Sequence, residues 1–371
     1  MTQLYLGLIS GTSVDGVDAA LTDFSDGRCR VLAARTMAYP NALDRRVRAL
    51  IETGHADLAE LGAVDVALGR FFADCALALI REAARRPEEI RAIGHHGQTV
   101  FHKPTEPEPF TMQIGDPNSI AALTGITTVA DFRRLDMAFG GQGAPMVPAF
   151  HEWLFRHPSE TRVILNIGGI SNVTVLAPDA ATLGFDTGPG NTLLDLWISR
   201  CQGVPYDVGG ALAAAGQVDP HLLDALLNEP YFERPAPKST GRELFNAAWL
   251  DGRLANRGAT LSPSDVQATL AELTAASIAN GLDLTGTVPD RIVVCGGGVY
   301  NEDLLGRLRS RLNCPVESSA EHGLAPDWVE ACAFAWLAAA RLNGCPGNLP
   351  SVTGARQAVT LGGVYCPVTR K

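Results

Sequence analysis

Two stretches of the chain follow one plan: an apolar strand, a turn of small residues and a second strand of alternating polarity. The first is residues 4–24, LYLGLISGTSVDGVDAALTDF, and the second is residues 162–179, RVILNIGGISNVTVLAPD. An apolar run that enters a Gly/Ser turn and leaves it as an alternating run is typical of a β-hairpin. The two copies begin about 160 residues apart. We therefore expect two related lobes, each opened by a hairpin.

The segments between and after the hairpins alternate between helix and strand patterns. Residues 65–85 place apolar side chains at helical spacing. Residues 90–102, IRAIGHHGQTVFH, predict a buried strand that runs into a polar loop, and residues 291–301, RIVVCGGGVYN, predict a strand that ends in glycines before a helix. Such alternation indicates an α/β fold, in which ligands gather at strand ends. We predict an N-terminal lobe of residues 1–160 and a C-terminal lobe of residues 161–371.

Composition excludes several classes of function. The net charge of the 371 residues is -10, which argues against a nucleic-acid partner. The N-terminus lacks the features of a secretory signal and no apolar run approaches the length of a bilayer span, so we expect no membrane association. The eight cysteines form no CxxC pair. This scatter favours reduced thiols in the cytoplasm over a disulfide framework or a zinc site.

The turn of the first hairpin is a candidate phosphate loop. Backbone N–H groups in a tight turn flanked by glycines can converge on an anion. The residues of this turn are Gly11, Thr12, Ser13, Val14, Asp15, Gly16, Val17 and Asp18. Asp15 and Asp18 can hold Mg²⁺ through its water molecules. The same composition is also favoured in an ordinary polar hairpin turn, so this loop alone leaves both interpretations open.

Further Gly-rich turns favour a nucleotide clamp. NIGGISN forms the turn of the second hairpin, GFDTGPGN precedes a helix near Thr192, and CGGGVYN follows a strand. We expect Gly188 and Gly190 to let an anion approach the start of that helix. The candidate nucleotide contacts from these turns are Gly168, Gly169, Asn172, Gly296, Gly297 and Gly298. The chain has no GxxxxGK[ST] sequence, and GGGVYN matches GxGxxG poorly, so neither a P-loop nor a dinucleotide fold is favoured.

Eight motifs carry a resemblance to a known family. In chain order they are GTSVDGVD, GHHGQTVFH, QIGDPNSIA, VADFRRLDMAFGGQGAPMVP, NIGGISN, FDTGPGN, PKSTGRE and CGGGVYN. Their order and spacing, over nearly the whole chain, resemble the anhydro-N-acetylmuramic acid kinases. The resemblance implies a two-lobed actin/Hsp70/sugar-kinase (ribonuclease H-like) fold with a central nucleotide cleft. A small departure is Ile9, where we expect Met, one apolar residue for another.

The resemblance also implies an activity. ATP, water and 1,6-anhydro-N-acetylmuramic acid would give N-acetylmuramic acid 6-phosphate and ADP, in the recycling of cell-wall peptidoglycan. The implied cofactors are ATP and Mg²⁺, and the implied partners are the sugar and a second copy of the chain. An ordinary hexose or amino-sugar kinase of the same fold is one alternative. A nucleotide-sensing binding protein is another, although a sensor has no need of a base aimed at a substrate.

Asp186, in GFDTGPGN, is the candidate catalytic residue. Opening the bridge between C1 and O6 requires an activated water molecule, and a carboxylate is a suitable general base. Asp186 stands at a predicted strand end beside a Gly-rich turn and matches the catalytic aspartate of the family. The alternative role is that of an Asp capping a loop or helix.

The candidate substrate residues are His96, Gln98, Arg133 and Glu330. Arg133 can bind the lactyl carboxylate in bidentate fashion, or be a surface Arg paired with Asp131 or Asp136. Glu330, near the start of an otherwise apolar helix, can bind sugar or orient water, or simply complement the dipole of that helix. His96 and Gln98 are predicted to form hydrogen bonds from a loop near the substrate.

Two sets of residues near these motifs have less specific interpretations. Lys238 and Arg242 in PKSTGRE are further candidates, for the substrate or for lobe closure. A metal site built on His95, His96 and His102 is not favoured, because no second ligand cluster accompanies them.

Overall fold

The chain forms two compact units. The computed structural model describes residues 3–11, 14, 16–257 and 261–367, without the side chains of residues 256 and 257. The first unit comprises the described residues of Met1–Leu154 and Trp328–Lys371, and the second is Phe155–Asp327. Within the described residues, no helix combines the length and the apolar character that a membrane span requires.

Strands and helices alternate along most of the chain. The strands are β1 (Leu4–Ser10), β2 (Val17–Asp23), β3 (Arg30–Met37), β4 (Ile90–Lys103), β5 (Phe110–Ile114), β6 (Thr128–Ala130), β7 (Arg162–Ile167), β8 (Ile170–Leu176), β9 (Leu183–Pro189), β10 (Arg291–Cys295), β11 (Val316–Ser318) and β12 (Gly363–Tyr365). The helices are α1 (Asn41–Thr53), α2 (Leu58–Glu82), α3 (Pro117–Thr124), α4 (Arg134–Ala138), α5 (Pro148–Phe155), α6 (Thr192–Gln202), α7 (Ala211–Ala214), α8 (Pro220–Leu227), α9 (Ala247–Arg257), α10 (Pro263–Asp283), α11 (Glu302–Arg311), α12 (Val329–Leu342) and α13 (Pro350–Thr353).

The sheet of the first unit runs in the order β12-β6-β4-β1-β2-β3, and β5 also pairs with β4. Strands β1, β4 and β6 are parallel, and β2 is antiparallel to β1 and β3. Helix α2 begins after Asp57, whose side chain accepts the N–H of Glu60, a common N-cap. Its buried residues Val64, Leu68 and Phe72 recur at helical spacing, so one face of α2 packs on the sheet in a shared core.

The sheet of the second unit repeats this arrangement. Its order is β11-β10-β7-β8-β9, with β7, β10 and β11 parallel and β8 antiparallel to both neighbours. Ala275, Ile278 and Leu282 of α10 share a buried core with Val173 and Phe185 of the sheet. The order β3-β2-β1-β4-β6 corresponds strand by strand to β9-β8-β7-β10-β11. The predicted α/β fold of two related lobes, each opened by a hairpin, is therefore confirmed.

Helix α12 lies directly on the sheet of the first unit because two strand positions are glycine. A Cβ atom on Gly7 would lie 1.8 Å from the carbonyl oxygen of Ala331, and one on Gly94 would lie 1.9 Å from that of Phe334. Strand β12 pairs with β6 of the same sheet. Residues 328–367 therefore pack with the first unit, which differs from the predicted division into residues 1–160 and 161–371.

Candidate active site

Three polar side chains form a row across the sheet of the second unit. Asn166 on β7 pairs with Asn172 on β8, and Asn172 pairs with Asp186 on β9. Directly opposed residues of antiparallel strands project to the same face of a sheet. The neighbouring residues Val173 and Phe185 belong to the core on the other face. The row thus places amide groups beside the candidate base.

The carboxylate of Asp186 is half-buried, and only one of its two oxygens accepts a hydrogen bond from the described residues. The N–H of Thr240 donates to Asp186 Oδ2 at 3.0 Å, whereas Oδ1 accepts no hydrogen bond from the described part of the chain. Burial raises the pKa of Asp186 to about 7, the Thr240 hydrogen bond opposes this shift, and the negative charge of Glu243 adds to it. A carboxyl group with this pKa can accept a proton near neutral pH. Asp186 is not the N-cap of α6, since Asn191 is the residue that precedes that helix.

The backbone around Asp186 is anchored by Lys238. The N–H of Asp186 donates to the carbonyl oxygen of Lys238 at 3.0 Å, and the Tyr231 hydroxyl donates to that of Asp186 at 2.7 Å. The Lys238 ammonium donates to the carbonyls of Tyr231 and Phe232 at 3.3 and 3.1 Å. Lys238 therefore joins the chain before the PKSTGRE motif to the strand that carries the candidate base.

Arg242 lies next to the turn of the second hairpin. A Cβ atom on Gly169 would be 3.7 Å from Arg242 Nη2. Burial raises the pKa of Asp195, on the first turn of α6, to about 6, and the charge of Arg242 opposes the shift. Sequence reasoning missed Asp195, although its place four residues after the Gly-rich GPGN turn was a signal. The pair puts a cation and a second carboxyl group in the neighbourhood of Gly169.

The second hairpin caps helix α6. The carbonyl of Gly168 accepts the N–H of Asn191 at 2.8 Å, and that of Gly169 accepts the N–H groups of Gly190 and Thr192 at 2.9 and 3.0 Å. These donors are therefore already paired. A Cβ atom on Gly190 would lie 2.3 Å from the carbonyl oxygen of Gly168, so packing explains this glycine, and the approach of an anion to the start of α6 stays a prediction.

The three glycines after β10 differ in their surroundings. A Cβ atom on Gly296 would lie 2.3 Å from Asn166 Oδ1, and one on Gly298 would lie 2.3 Å from Ile167 Cγ2. A Cβ atom on Gly297 would have nothing within 4 Å. Packing against β7 explains Gly296 and Gly298. The open space beside Gly297 would allow a ligand to approach closely. That Gly297 contacts the nucleotide stays a prediction.

The described part of the first hairpin's turn is held by contacts with the rest of the first unit. Thr12, Ser13 and Asp15 lie outside the described residues. Val14 is buried in a left-handed conformation, with φ 56°, which is a strained one for a β-branched residue. Its carbonyl accepts from Arg48 Nη2 at 2.6 Å. A Cβ atom on Gly16 would lie 2.5 Å from the carbonyl oxygen of Met37, so this glycine has a packing reason.

Gln98 lies on β4 and is fully buried. Its Oε1 accepts the Ser10 hydroxyl at 2.6 Å and the Tyr39 hydroxyl at 3.4 Å, and its Nε2 donates to the carbonyls of Gly11 and Thr99 at 3.3 Å each. Gln98 thus supports the start of the candidate phosphate loop. Its predicted contact with the sugar stays a prediction. The polar loop expected after the first half of β4 is wrong, because pairing with β5 extends the strand to Lys103.

Arg133 and His96 form the centre of a second polar cluster. Arg133 Nε and Nη2 both donate to His96 Nε2, at 3.1 and 2.9 Å, and Nη1 donates to the Gly143 carbonyl at 2.9 Å. His96 Nε2 is therefore the acceptor and Nδ1 carries the proton, which it donates to the Gly97 carbonyl at 2.9 Å. Burial, then the charge of Arg133, holds the pKa of His96 well below its ordinary value.

The guanidinium of Arg133 retains donors for a ligand. The three contacts leave one hydrogen each on Nη1 and Nη2, and two such N–H groups can bind a carboxylate. Burial lowers the pKa of Arg133 to about 10, opposed by the charge of Glu330, so it stays cationic at neutral pH. Asp131 pairs instead with Arg134, at 2.6 Å, and Asp136 bonds to other groups. Neither ion pair proposed for a surface Arg133 forms.

Glu330 is brought to this cluster by α12. Desolvation by the surrounding protein raises the pKa of Glu330, although the residue keeps some contact with solvent. The charge of Asp18 adds to this shift, and the charge of Arg133 opposes it. Asp18 Oδ1 accepts the Thr36 hydroxyl at 2.6 Å. The first unit thus gathers two carboxylates and one guanidinium, from β2, α12 and the chain before α4.

The histidines have protein partners in place of a metal. His95 Nε2 bonds to the Gly115 carbonyl at 2.7 Å, and His102 Nδ1 to the Thr111 hydroxyl at 3.1 Å. Among the residues that the structure describes, no group of three or more His, Cys, Asp or Glu side chains could hold a metal ion.

The chain combines two α/β units whose sheets repeat one strand order, and each unit carries a cluster of polar side chains. The sequence model of the anhydro-N-acetylmuramic acid kinases matches residues 3–367. An anhydro-N-acetylmuramic acid kinase of Pasteurella multocida is 54% identical over 366 residues, which cover 98% of this chain and 97% of the relative. One of Haemophilus influenzae is 50% identical, with 98% of each chain covered. The chain belongs to the anhydro-N-acetylmuramic acid kinase family.

A more distant similarity concerns a solved structure. A ROK family glucokinase from Streptomyces griseus, in complex with glucose and AMPPNP, is 14% identical with a TM-score of 0.40, covering 90% of this chain and 99% of the glucokinase.

Proposed function

We propose that this enzyme uses ATP to phosphorylate O6 of 1,6-anhydro-N-acetylmuramic acid while water opens the anhydro bridge, in the recycling of peptidoglycan. The products are N-acetylmuramic acid 6-phosphate and ADP. The observation that carries the proposal is Asp186, a half-buried carboxyl with a pKa of about 7 and one oxygen without a donor among the described residues. Family membership over the whole chain supports the choice of sugar.

In the proposed reaction, Asp186 accepts a proton from a water molecule as the water oxygen bonds to C1. The C1–O6 bond breaks, and O6 keeps its electron pair. O6 then bonds to the γ-phosphorus of ATP as the bond to the β–γ bridging oxygen breaks, and ADP leaves. The side chains of Asn166 and Asn172, on the same face as Asp186, supply amide groups that can orient the water or the sugar.

Arg133 is the proposed partner of the lactyl carboxylate. Its two unused N–H groups can bind that carboxylate, and its cationic charge compensates the negative charge of the acid. His96 fixes the other edge of the guanidinium. Glu330, near both Arg133 and Asp18, is proposed to bind sugar hydroxyls.

ATP is proposed to bind against the loop of residues 11–18 and the glycines at 168, 169 and 297. Mg²⁺ that enters with ATP needs only one or two carboxylates, because waters and phosphates complete its shell. Asp18, held by Thr36, fits such a role, and Asp15 is a second candidate from the sequence. The ion would neutralise phosphate charge. A nucleotide site in a cleft between the lobes stays a prediction.

The proposed function is tested by ADP release over a panel of sugars. The panel contains 1,6-anhydro-N-acetylmuramic acid, opened N-acetylmuramic acid, glucose and N-acetylglucosamine. We expect turnover with the anhydro sugar and at most weak turnover with the rest. Equal rates with the opened acid or with glucose would favour an ordinary sugar kinase, and ATP binding without turnover of any sugar would favour a sensor.

We further propose a cytoplasmic homodimer, on the strength of the family resemblance. Light scattering coupled to size-exclusion chromatography tests the oligomer. A mass twice the 39.3 kDa of the chain is expected, and a monomer at micromolar concentration would contradict it.

A further inference from the structure

Asp136 is a buried carboxylate that connects two distant segments of the first unit. Its Oδ2 accepts the N–H of Gly143 at 2.8 Å, and its Oδ1 accepts from Asn348 Nδ2 at 2.6 Å and from the Thr353 hydroxyl at 2.7 Å. The side chain has no solvent exposure. A buried carboxylate is costly unless donors satisfy it, and here both oxygens have donors. Asp136 therefore ties the turn at residues 139–143 to the C-terminal segment.

The turn is built around this carboxylate. A Cβ atom on Gly141 would lie 2.1 Å from Asp136 Oδ2, so a side chain there would displace the carboxylate. The N–H of Gln142 donates to the Thr353 carbonyl at 2.8 Å, and that of Arg356 donates to the Phe139 carbonyl at 2.9 Å. Packing around Asp136 thereby explains the glycine at position 141.

Gly143 connects Asp136 to the sugar-binding cluster. Its N–H donates to Asp136, and its carbonyl accepts Arg133 Nη1 at 2.9 Å. Gly143 has φ 68°, a left-handed conformation that favours glycine. Rotation of this residue would move the acceptor that fixes Nη1. The orientation of Gly143, and with it that of the guanidinium, depends on the hydrogen bond to Asp136.

We propose that Asp136 is a positioning residue for sugar recognition: through Gly143 it fixes the Arg133 guanidinium, and so sets the preference for a sugar that bears a carboxylate. The inference rests on the proposed function, in which Arg133 binds the lactyl carboxylate. Asp136 itself contacts neither sugar nor ATP in this account.

The decisive pair of variants is Asp136→Asn and Thr353→Val. If the oxygen of the new amide keeps the Asn348 and Thr353 donors, its NH₂ group faces the Gly143 N–H, donor against donor. Thr353→Val removes a donor from Oδ1 and leaves the bond from Gly143 intact. Both variants lose a buried hydrogen bond to the side chain at position 136, so Thr353→Val controls for that loss. Only Asp136→Asn breaks the connection to Arg133.

The readout is the affinity, by calorimetry, for the anhydro sugar and for its neutral lactyl amide. We expect Asp136→Asn to reduce the preference for the carboxylate about tenfold, the scale of one charge-assisted hydrogen bond, and Thr353→Val to keep the wild-type preference. ATP affinity should be unchanged in both. An unchanged preference in Asp136→Asn, or an equal loss in both variants, would overturn the inference.

A third variant covers the case in which Asp136→Asn does not fold, and a double variant tests whether Asp136 acts through Arg133. Gly141→Ala displaces the carboxylate without removing it, and should reproduce the loss of preference if Asp136→Asn does not fold. In an Arg133→Ala background, Asp136→Asn should have no further effect on preference, whereas an additive effect would contradict action through Arg133. Binding is measured separately from ADP release, so a chain that binds the sugar selectively without turnover would overturn the proposed function and leave the inference standing.

Discussion

Arg133 donates two N–H groups to one ring nitrogen of His96, Nε2, at 3.1 and 2.9 Å. This contact decides the tautomer of His96 and directs the edge formed by Nη1 and Nη2 of the guanidinium away from the ring. It also gives the cluster a rigid cation whose Nε and Nη2 face a neutral ring and not a carboxylate. Binding of the sugar carboxylate by Arg133 depends on this geometry.

Arg133→Lys is predicted to weaken binding of the sugar and to leave binding of ATP unchanged. An ammonium is a point charge that cannot contact His96, the Gly143 carbonyl and a carboxylate at once. We expect the KM for the anhydro sugar to rise at least about tenfold with an unchanged KM for ATP. Steady-state kinetics with each substrate varied provide the measurement.

The matched control is Arg134→Lys, because Arg134 is the next residue, is exposed and pairs with Asp131. It should behave as wild type. An unchanged sugar KM in Arg133→Lys would remove Arg133 from the carboxylate site.

Asp186→Asn is predicted to abolish most turnover. The amide keeps the shape of the side chain and cannot accept a proton from water, so kcat should fall about a hundredfold or more. ATP affinity should change little, since the proposed nucleotide contacts are the loop of residues 11–18 and the glycines at 168, 169 and 297, and Asp186 is not among them. Asp224→Asn, an exposed Asp of α8 in the same unit, is the control. Near-normal turnover in Asp186→Asn would eliminate it as the base.

The pH profile is predicted to report the same group. Burial raises the pKa of Asp186 to about 7, so the ionised base is depleted as pH falls below that value. We expect kcat/KM to drop about tenfold per pH unit on the acid side of about pH 7, and to be flat above it until another group titrates. A profile that stays flat down to about pH 5 would contradict the raised pKa or the role.

Gln98→Leu discriminates between two roles of a buried amide. Loss of its bonds to Ser10 and Gly11 should destabilise the protein by about 1–3 kcal/mol and loosen the start of the first turn. We expect a higher KM for ATP and an unchanged KM for the sugar. The reverse result would support the contact with sugar that the sequence suggested.

Gly297→Val tests the glycine that packing does not explain. With no atom within 4 Å of its Cβ position, the variant should fold normally and bind ATP at least about tenfold more weakly. Gly306→Val on α11 is the control, because its Cβ position is equally open. Equal ATP affinity in the two variants would place the nucleotide elsewhere.

The sequence anticipates the features that depend on local pattern. Alternation and helical spacing predict both hairpins, the strand before the three glycines and the helix that contains Glu330. The sequence predicts only two members of the polar row, Asn172 and Asp186. Asn166 is not among the candidates, although it lies as far before the turn as Asn172 lies after it. That symmetry in NIGGISN was the available signal.

Other features depend on contacts that no local pattern encodes. Glu330 is close enough to Asp18 for the charge of Asp18 to raise its pKa because Gly7 and Gly94 let α12 lie on β1 and β4. The bonds of Asp136 to Asn348 and Thr353 join residues more than two hundred positions apart. The long-range packing of the C-terminal residues is also why the predicted lobe boundary differs from the compact units.

The most direct test of the coupled reaction is a rapidly quenched turnover of the anhydro sugar in water enriched in oxygen-18. Water activated by Asp186 should end on C1, while O6 carries its original oxygen into the phosphate ester. We expect mass spectrometry of the 6-phosphate to find label at C1 and none in the ester bridge or the phosphoryl oxygens. Label in the phosphoryl group, or an unlabelled C1, would contradict the coupled reaction.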